Sequence, residues 1–300
     1  MNDVLHPSIA NWLAYLSEKS KSQATLNTYR RGIAHFYRWS KQSYGQNFDP
    51  EAIIPRDVEE WKSFQQVVER AAPATVNSRL TALSRYFKWA VNRNPCRRDP
   101  TTETQQVRAK RRQPQGLSDQ YVRLLRRRIE KEGNLRDVAL FELMVGTGLR
   151  VSETLDLQVA DLTLSDRKGQ VEVRHGKGGQ PRSVPLTAPV RTALKAYLDN
   201  NPELEPDDFL WVGERGPLRD RSGVFYMLKK YARLTGLDDS QISPHTLRHT
   251  FATRYLKSNP ADLRGLAAIL GHASLNTVMI YTEPTTEILA TRMEKAETTN

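Results

Sequence analysis

The sequence predicts a mainly α-helical protein with one small antiparallel β-sheet. It divides into an all-helical N-terminal domain (1–95), a basic linker (96–116) and an α+β C-terminal domain (117–300). Three observations carry that prediction. Residues 6–95 place apolar side chains at helical spacings and hold no alternating run. Residues 96–116, CRRDPTTETQQVRAKRRQPQG, lose all periodicity and contain Pro100 and Pro114 among Gln and Thr. From Leu117 helical periodicity returns and is interrupted by three short alternating runs.

Length and composition narrow the function. Three hundred residues suffice for two domains with real cores. The single cysteine, Cys96, excludes an internal disulfide and points to a reducing cytosol. No apolar run approaches the ~20 residues of a membrane span, and the first twenty residues lack the basic start and small-residue cleavage site of a signal peptide. The net charge of +11 is uneven: residues 1–116 hold 19 Lys/Arg against 10 Asp/Glu, and residues 117–300 hold 26 against 24. A basic first part beside a near-neutral second suggests that the first grips a polyanion, with plain solubility as the simpler explanation.

In the N-terminal domain the spacing predicts helices over Pro7–Ser17, Ala24–Tyr44, Arg56–Arg70 and Pro73–Val91. The second and fourth echo each other at an offset of fifty, TLNTYRRGIAHFYRWS (25–40) aligning with TVNSRLTALSRYFKWA (75–90). This suggests two helix pairs of one plan, packed through their tryptophan-bearing ends. Arg30, Arg31, Arg79 and Arg85 are placed to meet phosphates, and Asn27 and Asn77 to meet base edges or phosphates. Lys110, Arg111 and Arg112 in the linker could track a nucleic-acid backbone. A solvated helix face explains any one of these residues; the basic helical set fits DNA.

In the C-terminal domain Ser118 caps a helix over 119–133, and a more apolar helix over 135–148 ends at Gly146-Thr147-Gly148. Leu149-Arg150-Val151-Ser152-Glu153 opens a short helix through Leu157, with Glu153 spaced to orient the Arg150 guanidinium. The runs LTL (162–164), QVEV (170–173) and RSVPL (182–186) read as three strands. Between the last two, RHGKGGQP (174–181) is a Gly-rich hairpin with Lys177 at its tip. The hairpin is not a P-loop, because the spacing and the following Ser/Thr are wrong. An ordinary exposed turn residue is the plain alternative for Lys177. Helices follow over Pro189–Asn200 and Ser222–Leu234, with FLWV (209–212) extended between them.

The stretch SPHTLRHTFATRYLKSNPADLRGLAAILGHASLNTVMIY (243–281) concentrates chemistry-bearing residues. Ser243 and Pro244 start a helix on which His245 and Arg248 share a face, while Leu247, Phe251 and Tyr255 mark an apolar one. A second helix, about Asp262–Leu270, stops at Gly271, and His272 follows. Ser274 caps a short helix ending at Tyr281, and a terminal helix is expected over about 284–297. Breaking a phosphodiester without a metal requires a nucleophile, cations on the non-bridging oxygens and a proton donor for the leaving oxygen. Tyr281, Arg248 and two imidazoles lie here, with Arg150 and Lys177 upstream. His245 and His249 have a zinc-compatible spacing, but no Glu follows the first and no third ligand is near, so no metal is expected.

These residues carry a family resemblance. GTGLRVSE (146–153), GKG (176–178), HTLRHTFAT (245–253), LGHAS (270–274) and Tyr281 together resemble the tyrosine recombinase (phage integrase) family, nearest its Xer-type and small mobile-element members. The N-terminal half, with its T-x-N-T-Y, resembles the family's SAM-like core-DNA-binding domain. Glu283 stands where many members have His, and Ser258-Asn259-Pro260 replaces a Gly-containing turn, which leaves the subgroup open.

The resemblance implies that Tyr281 attacks the scissile phosphate and forms a 3′-phosphotyrosyl link. Arg150 and Arg248 would hold the non-bridging oxygens, Lys177 would protonate the leaving 5′-oxygen, His245 would deprotonate or orient Tyr281, and His272 would donate to the phosphate. No metal, ATP or other cofactor is implied. The implied partners are a double-stranded DNA recombination site and three further copies in a tetramer on two sites, with room for a second recombinase or accessory protein. The implied place is the prokaryotic cytoplasm or nucleoid. Integration, excision and dimer resolution through a Holliday junction all stay open. Two rivals share part of the signal: a type IB topoisomerase-like enzyme, and a DNA-binding regulator without catalysis.

Overall fold

The computed structural model describes residues 5–19, 22–45, 48–93, 95–108, 116–174, 181–213 and 216–271, with 279, 290, 293 and 294. The chain divides into two units, Met1–Arg111 and Arg112–Asn300.

The first unit is built from α1 (Pro7–Glu18), α2 (Gln23–Tyr44), α3 (Pro55–Val67) and α4 (Pro73–Asn92). Proline at the first turn of α1, α3 and α4 removes an N–H that has no intrahelical partner there. Ser22 caps α2 by accepting from the Thr25 N–H, and α2 ends on left-handed Gly45. The core is aromatic: Trp12, Phe36, Trp61, Tyr86 and Phe87 are fully buried among Ile9, Ile33, Val58, Val76 and Leu83. The tryptophans expected to pair the helices divide differently. Trp39 is buried and Trp89 only partly so, while the two fully buried indoles belong to α1 and α3. α2 meets α4 in mid-helix instead, where a Cβ on Gly32 would lie 2.7 Å from that of Ala82.

α3 stops at Val67, three residues short of the expected Arg70. The chain there is pulled into a polar knot. Glu69 accepts from Arg79 Nη1 (2.8 Å) and pairs with His35 Nε2 (2.8 Å), and Arg70 takes a left-handed φ of 50°. The Trp61 Nε1–H donates to His35 Nδ1, which leaves Nε2 as the His35 donor. Burial, ahead of every charge, lowers the His35 pKa.

The second unit comprises α5 (Asp119–Glu132), α6 (Leu135–Thr147), α7 (Val151–Leu155), β1 (Leu162–Leu164), β2 (Gly169–Val173), β3 (Arg182–Pro185), α8 (Ala188–Asp199), β4 (Val212–Gly213), β5 (Gly216–Pro217), α9 (Arg221–Leu234), α10 (Pro244–Ser258) and α11 (Leu263–Leu270). The strands β1, β2 and β3 form an antiparallel sheet in that order, Val171 facing Val184 in register. A two-stranded β4–β5 ribbon was not expected from the sequence. α6 is apolar almost all round, with Ala139, Leu140, Phe141, Leu143, Met144 and Val145 buried, and so it forms the central helix of the unit. Val171, Val173, Val184, Trp211, Tyr231 and Leu247 complete that core.

α10 and α11 meet over a smaller cluster of Ala252, Leu256, Leu266, Ala267 and Leu270. Phe251 and Tyr255, expected as core, sit only at its margin, because the Tyr255 hydroxyl donates to Asp262 at 2.6 Å.

A side chain at position 32 must displace α4. Gly32→Val is expected to destabilise the protein by about 2 kcal/mol, whereas Gly45→Ala, with nothing within 4 Å of the added carbon, carries only its left-handed strain of about 1 kcal/mol. Urea midpoints of the two variants check the order.

Candidate active site

Three glycine- or serine-controlled helix ends converge in the second unit. α6 closes on Gly148 in the left-handed region (φ 66°), which releases the chain so that Arg150 becomes the residue before α7. Ser243 starts α10 by accepting from the Thr246 N–H at 3.0 Å, which sets His245 and Arg248 on its first turns. α11 starts on Asp262, whose carboxylate accepts from the Gly265 N–H, and closes on Gly271 (φ 63°).

The last carbonyls of a helix have no partner within it and form the negative end of its dipole. At the end of α11 three successive carbonyls each accept from a different arginine. Arg182 Nε donates to Ile269 (2.8 Å), Arg248 Nη2 to Leu270 (2.8 Å) and Arg150 Nη2 to Gly271 (3.4 Å). Arg248 also donates to the Gly148 carbonyl at 2.8 Å, so one guanidinium ties the end of α6 to the end of α11. It is only 4% exposed.

One buried carboxylate balances this charge. Glu153 Oε1 accepts from Arg150 Nη1 (2.6 Å) and Arg182 Nη1 (3.2 Å). Its Oε2 accepts from the Arg150 backbone N–H (2.9 Å) and Arg182 Nη2 (2.8 Å). Burial alone would push the Glu153 carboxyl up, but the hydrogen bonds and charges of Arg182 and Arg150 overcome it and hold the group below the ordinary value.

His245 and His249 sit one turn apart with their rings edge to face, centroids 4.1 Å apart. Partial burial, then the charges of Arg248 and Arg150, lower the His245 pKa, so the ring is neutral at pH 7 and able to accept a proton. His249, buried beneath it, is lowered to about 4 by burial, His245 and Arg248. Among the described residues no group of three His, Cys, Asp or Glu is arranged to hold a metal ion.

The structure thus brings Arg150, Glu153, His245 and Arg248 together. Lys177, His272 and Tyr281 lie outside the described residues, as do Lys110, Arg111, Arg112 and most of the expected terminal helix. Arg182 escaped the sequence reading. Its signal was the strand alternation of RSVPL, which puts Arg182 on the face of buried Val184. An inward arginine implies a buried partner.

In the first unit Asn27, Arg30, Arg31 and Arg85 are exposed. Arg30 and Arg31, with Arg38, Thr75 and Ser78, line a cavity of about 590 Å³ between α2 and α4. Asn77 and Arg79 are already engaged within the unit. The Asn77 amide brackets the Val107 backbone (2.9 and 2.8 Å), and Arg79 binds Glu69 and Gln65.

Comparison with known proteins gives consistent matches. The phage integrase family matches residues 117–287, and the phage integrase N-terminal SAM-like domain matches residues 9–95. The tyrosine recombinase XerD of Ralstonia nicotianae is 35% identical over 288 residues, covering 94% of this chain and 89% of its own. The tyrosine recombinase XerC of Haemophilus ducreyi is 30% identical over 276 residues, covering 91% and 88%. The crystal structure of the XerH site-specific recombinase bound to difH substrate, a pre-cleavage complex, shares the fold with a TM-score of 0.72 at 24% identity, covering 91% of this chain and 79% of that one.

The buried imidazole gives a pH signature. The unfolded His249 ring, at its ordinary value of about 6.5, takes a proton before the folded ring does, so protons favour the unfolded chain between about 6.5 and about 4. Stability is expected to fall with pH across that window, by up to about 3 kcal/mol from this residue. His249→Asn should flatten the slope, as read from urea midpoints at pH 7.5, 6 and 5.

Proposed function

The chain belongs to the phage integrase family of tyrosine recombinases, enzymes of site-specific DNA recombination, and on that premise we propose that it cuts and rejoins duplex DNA through a 3′-phosphotyrosyl bond to Tyr281. The observation that supports this reading most is the pair of guanidiniums, Arg150 and Arg248, seated on neighbouring carbonyls with a neutral His245 close to both. Two fixed cations suit the spread negative charge of a five-coordinate phosphorus and require little reorganisation as it forms.

In this mechanism the Tyr281 phenolic oxygen attacks the scissile phosphorus and passes its proton to His245. The bond from phosphorus to the 5′-oxygen breaks, and Lys177 supplies the proton that makes the 5′-hydroxyl. Arg150 and Arg248 hold the non-bridging oxygens in forked hydrogen bonds, and His272 donates to the same phosphate. Bond energy stays in the phosphotyrosine, so a 5′-hydroxyl from a second duplex can reverse the step and exchange strands without ATP or metal.

The N-terminal unit serves as the core-DNA-binding domain. Arg30, Arg31 and Arg85 contact phosphates, Asn27 reaches the groove, and Lys110, Arg111 and Arg112 follow the backbone between the units. Asn77 and Arg79 act indirectly, by fixing the start of the linker and the end of α3. Four protomers on two sites carry the exchange through a Holliday junction, in integration, excision or dimer resolution. No helix among the described residues is long and apolar enough to cross a membrane.

The test uses duplexes selected by binding from a random-sequence pool and nicked beside the cleavage position, so that the freed fragment leaves and the covalent complex accumulates. Wild type is expected to give a protein–DNA adduct on a denaturing gel. Tyr281→Phe should bind the duplex normally and give no adduct, and Arg150→Ala or Arg248→Ala should form it at least ~10²-fold more slowly. An adduct that persists in the Phe variant overturns the assignment. Strand exchange between two marked duplexes, rather than relaxation alone, excludes a topoisomerase.

A further inference from the structure

We propose that Arg182 is a positioning residue for the phosphate clamp. By saturating Glu153 it keeps Arg150 turned toward the phosphate instead of folded onto the carboxylate. The inference deepens the reading above and rests on it for the identity of the anion, though not for the coupling between the side chains.

A carboxylate offers about four acceptor positions, and all those of Glu153 are filled. Arg150 provides two donors, its backbone N–H and one Nη1–H, and Arg182 provides the other two through its fork. The Glu153 side chain is 2% exposed, so no bulk water can replace a lost donor. If the Arg182 fork is removed, a buried anion keeps two unmet lone pairs. Among the described residues, unspent donors beside Glu153 belong to Arg150, whose Nη2 makes only a long 3.4 Å contact with the Gly271 carbonyl. The Arg150 guanidinium would then rotate into a two-bond grip on Glu153, since paired N–H···O contacts are the preferred geometry of such a pair. The N–H groups proposed to meet the phosphate would be consumed.

Arg182 is itself fixed from three sides. Its Nε donates to the Ile269 carbonyl and its fork grips Glu153. Its guanidinium also lies against Gly271 so closely that a Cβ there would come within 2.7 Å of Nη1. It therefore links β3, α7 and the end of α11, and one side chain sets both the rotamer of Arg150 and the height of the turn that precedes His272.

The experiment compares wild type with Arg182→Met, Arg182→Lys and the double variant Arg182→Met/Glu153→Gln. The first readout is the single-turnover rate of adduct formation at saturating nicked duplex. Arg182→Met is expected to lose about 30-fold or more in rate while the duplex Kd stays within about twofold. Arg182→Lys, which keeps the charge but not the fork, should recover only part of that. The double variant should cleave faster than Arg182→Met, because the buried anion that captures Arg150 is gone. On a duplex with an uncharged methylphosphonate at the scissile position, the Arg182→Met penalty should shrink to about threefold.

A purely structural role predicts the opposite: a double variant no better than the single, and the same penalty on both substrates. Either of those results, or a wild-type rate in Arg182→Met, overturns the proposal. The second readout is the Nε resonance of Arg150 in DNA-free protein, identified by its loss in Arg150→Lys. It should shift in Arg182→Met and return toward the wild-type position in the double variant. Should wild type form no adduct, the recombinase assignment fails while this resonance still decides the coupling. An unmoved resonance defeats the coupling whatever the enzyme does with DNA.

Discussion

Three guanidiniums gather at the carbonyl end of α11, two of them, Arg150 and Arg182, sharing a single carboxylate, and that helix end is what makes the crowding tolerable. Like charges in a low-dielectric setting repel strongly, and each loses water on burial. Here Ile269, Leu270 and Gly271 offer their unpaired oxygens one per arginine, while Glu153 neutralises one unit of charge from beneath. The arrangement holds the cations together through protein partners alone. It leaves a net positive site without leaving any of the three side chains loose.

Seating the arginines dictates much of the surrounding chain. Arg248 can reach both the Gly148 and Leu270 carbonyls only because α6 and α11 each end in a left-handed glycine, exposing those oxygens instead of continuing the helix. A Cβ at Gly148 would strike Phe251 and Leu270, and one at Gly271 would strike Arg182, so both positions demand glycine for contact as well as for φ. α6 in turn is the most enclosed helix of its unit, and it carries Gly148 at the end of a rigid apolar rod. α10 is pinned beside it when Thr250 accepts from the Leu117 N–H at 2.8 Å. A geometry that must hold its side chains this closely belongs on elements that cannot drift.

Much of this was legible in the sequence because it depends on local chemistry. The caps at Ser118 and Ser243 and the stops at Gly148 and Gly271 are signals within one turn, and the helices begin and end on them. The pairing of Arg150 with Glu153 is a matter of i,i+3 spacing and was readable for the same reason. Long-range facts were not. Nothing near Arg79 announces that Glu69 will claim it, or that the same knot will end α3 early. Asn77 looks like a surface donor until the Val107 backbone arrives from thirty residues away. Arg182 announced itself only as a charge on the wrong face of a strand, with its partners 29 and 87 positions distant.

The distribution of charge gives the two units different physical tasks. The first keeps exposed arginines over a cavity that His35 and Arg79, both paired with Glu69, also line, and such a surface gains affinity by releasing counterions from a polyanion. That force is long-ranged, tolerant of position and screened by salt. The second has almost no net charge, yet it concentrates two or three cations at one point by balancing them against a single buried anion and a helix end. That force is short-ranged and intolerant of error, because displacing a guanidinium by about an ångström misses the oxygen it is meant to meet. A diffuse charged surface and a fixed cation cluster therefore place opposite demands on arginine: abundance and exposure for the first, and for the second an enclosure that is near-complete at Arg248 and partial at Arg182 and Arg150.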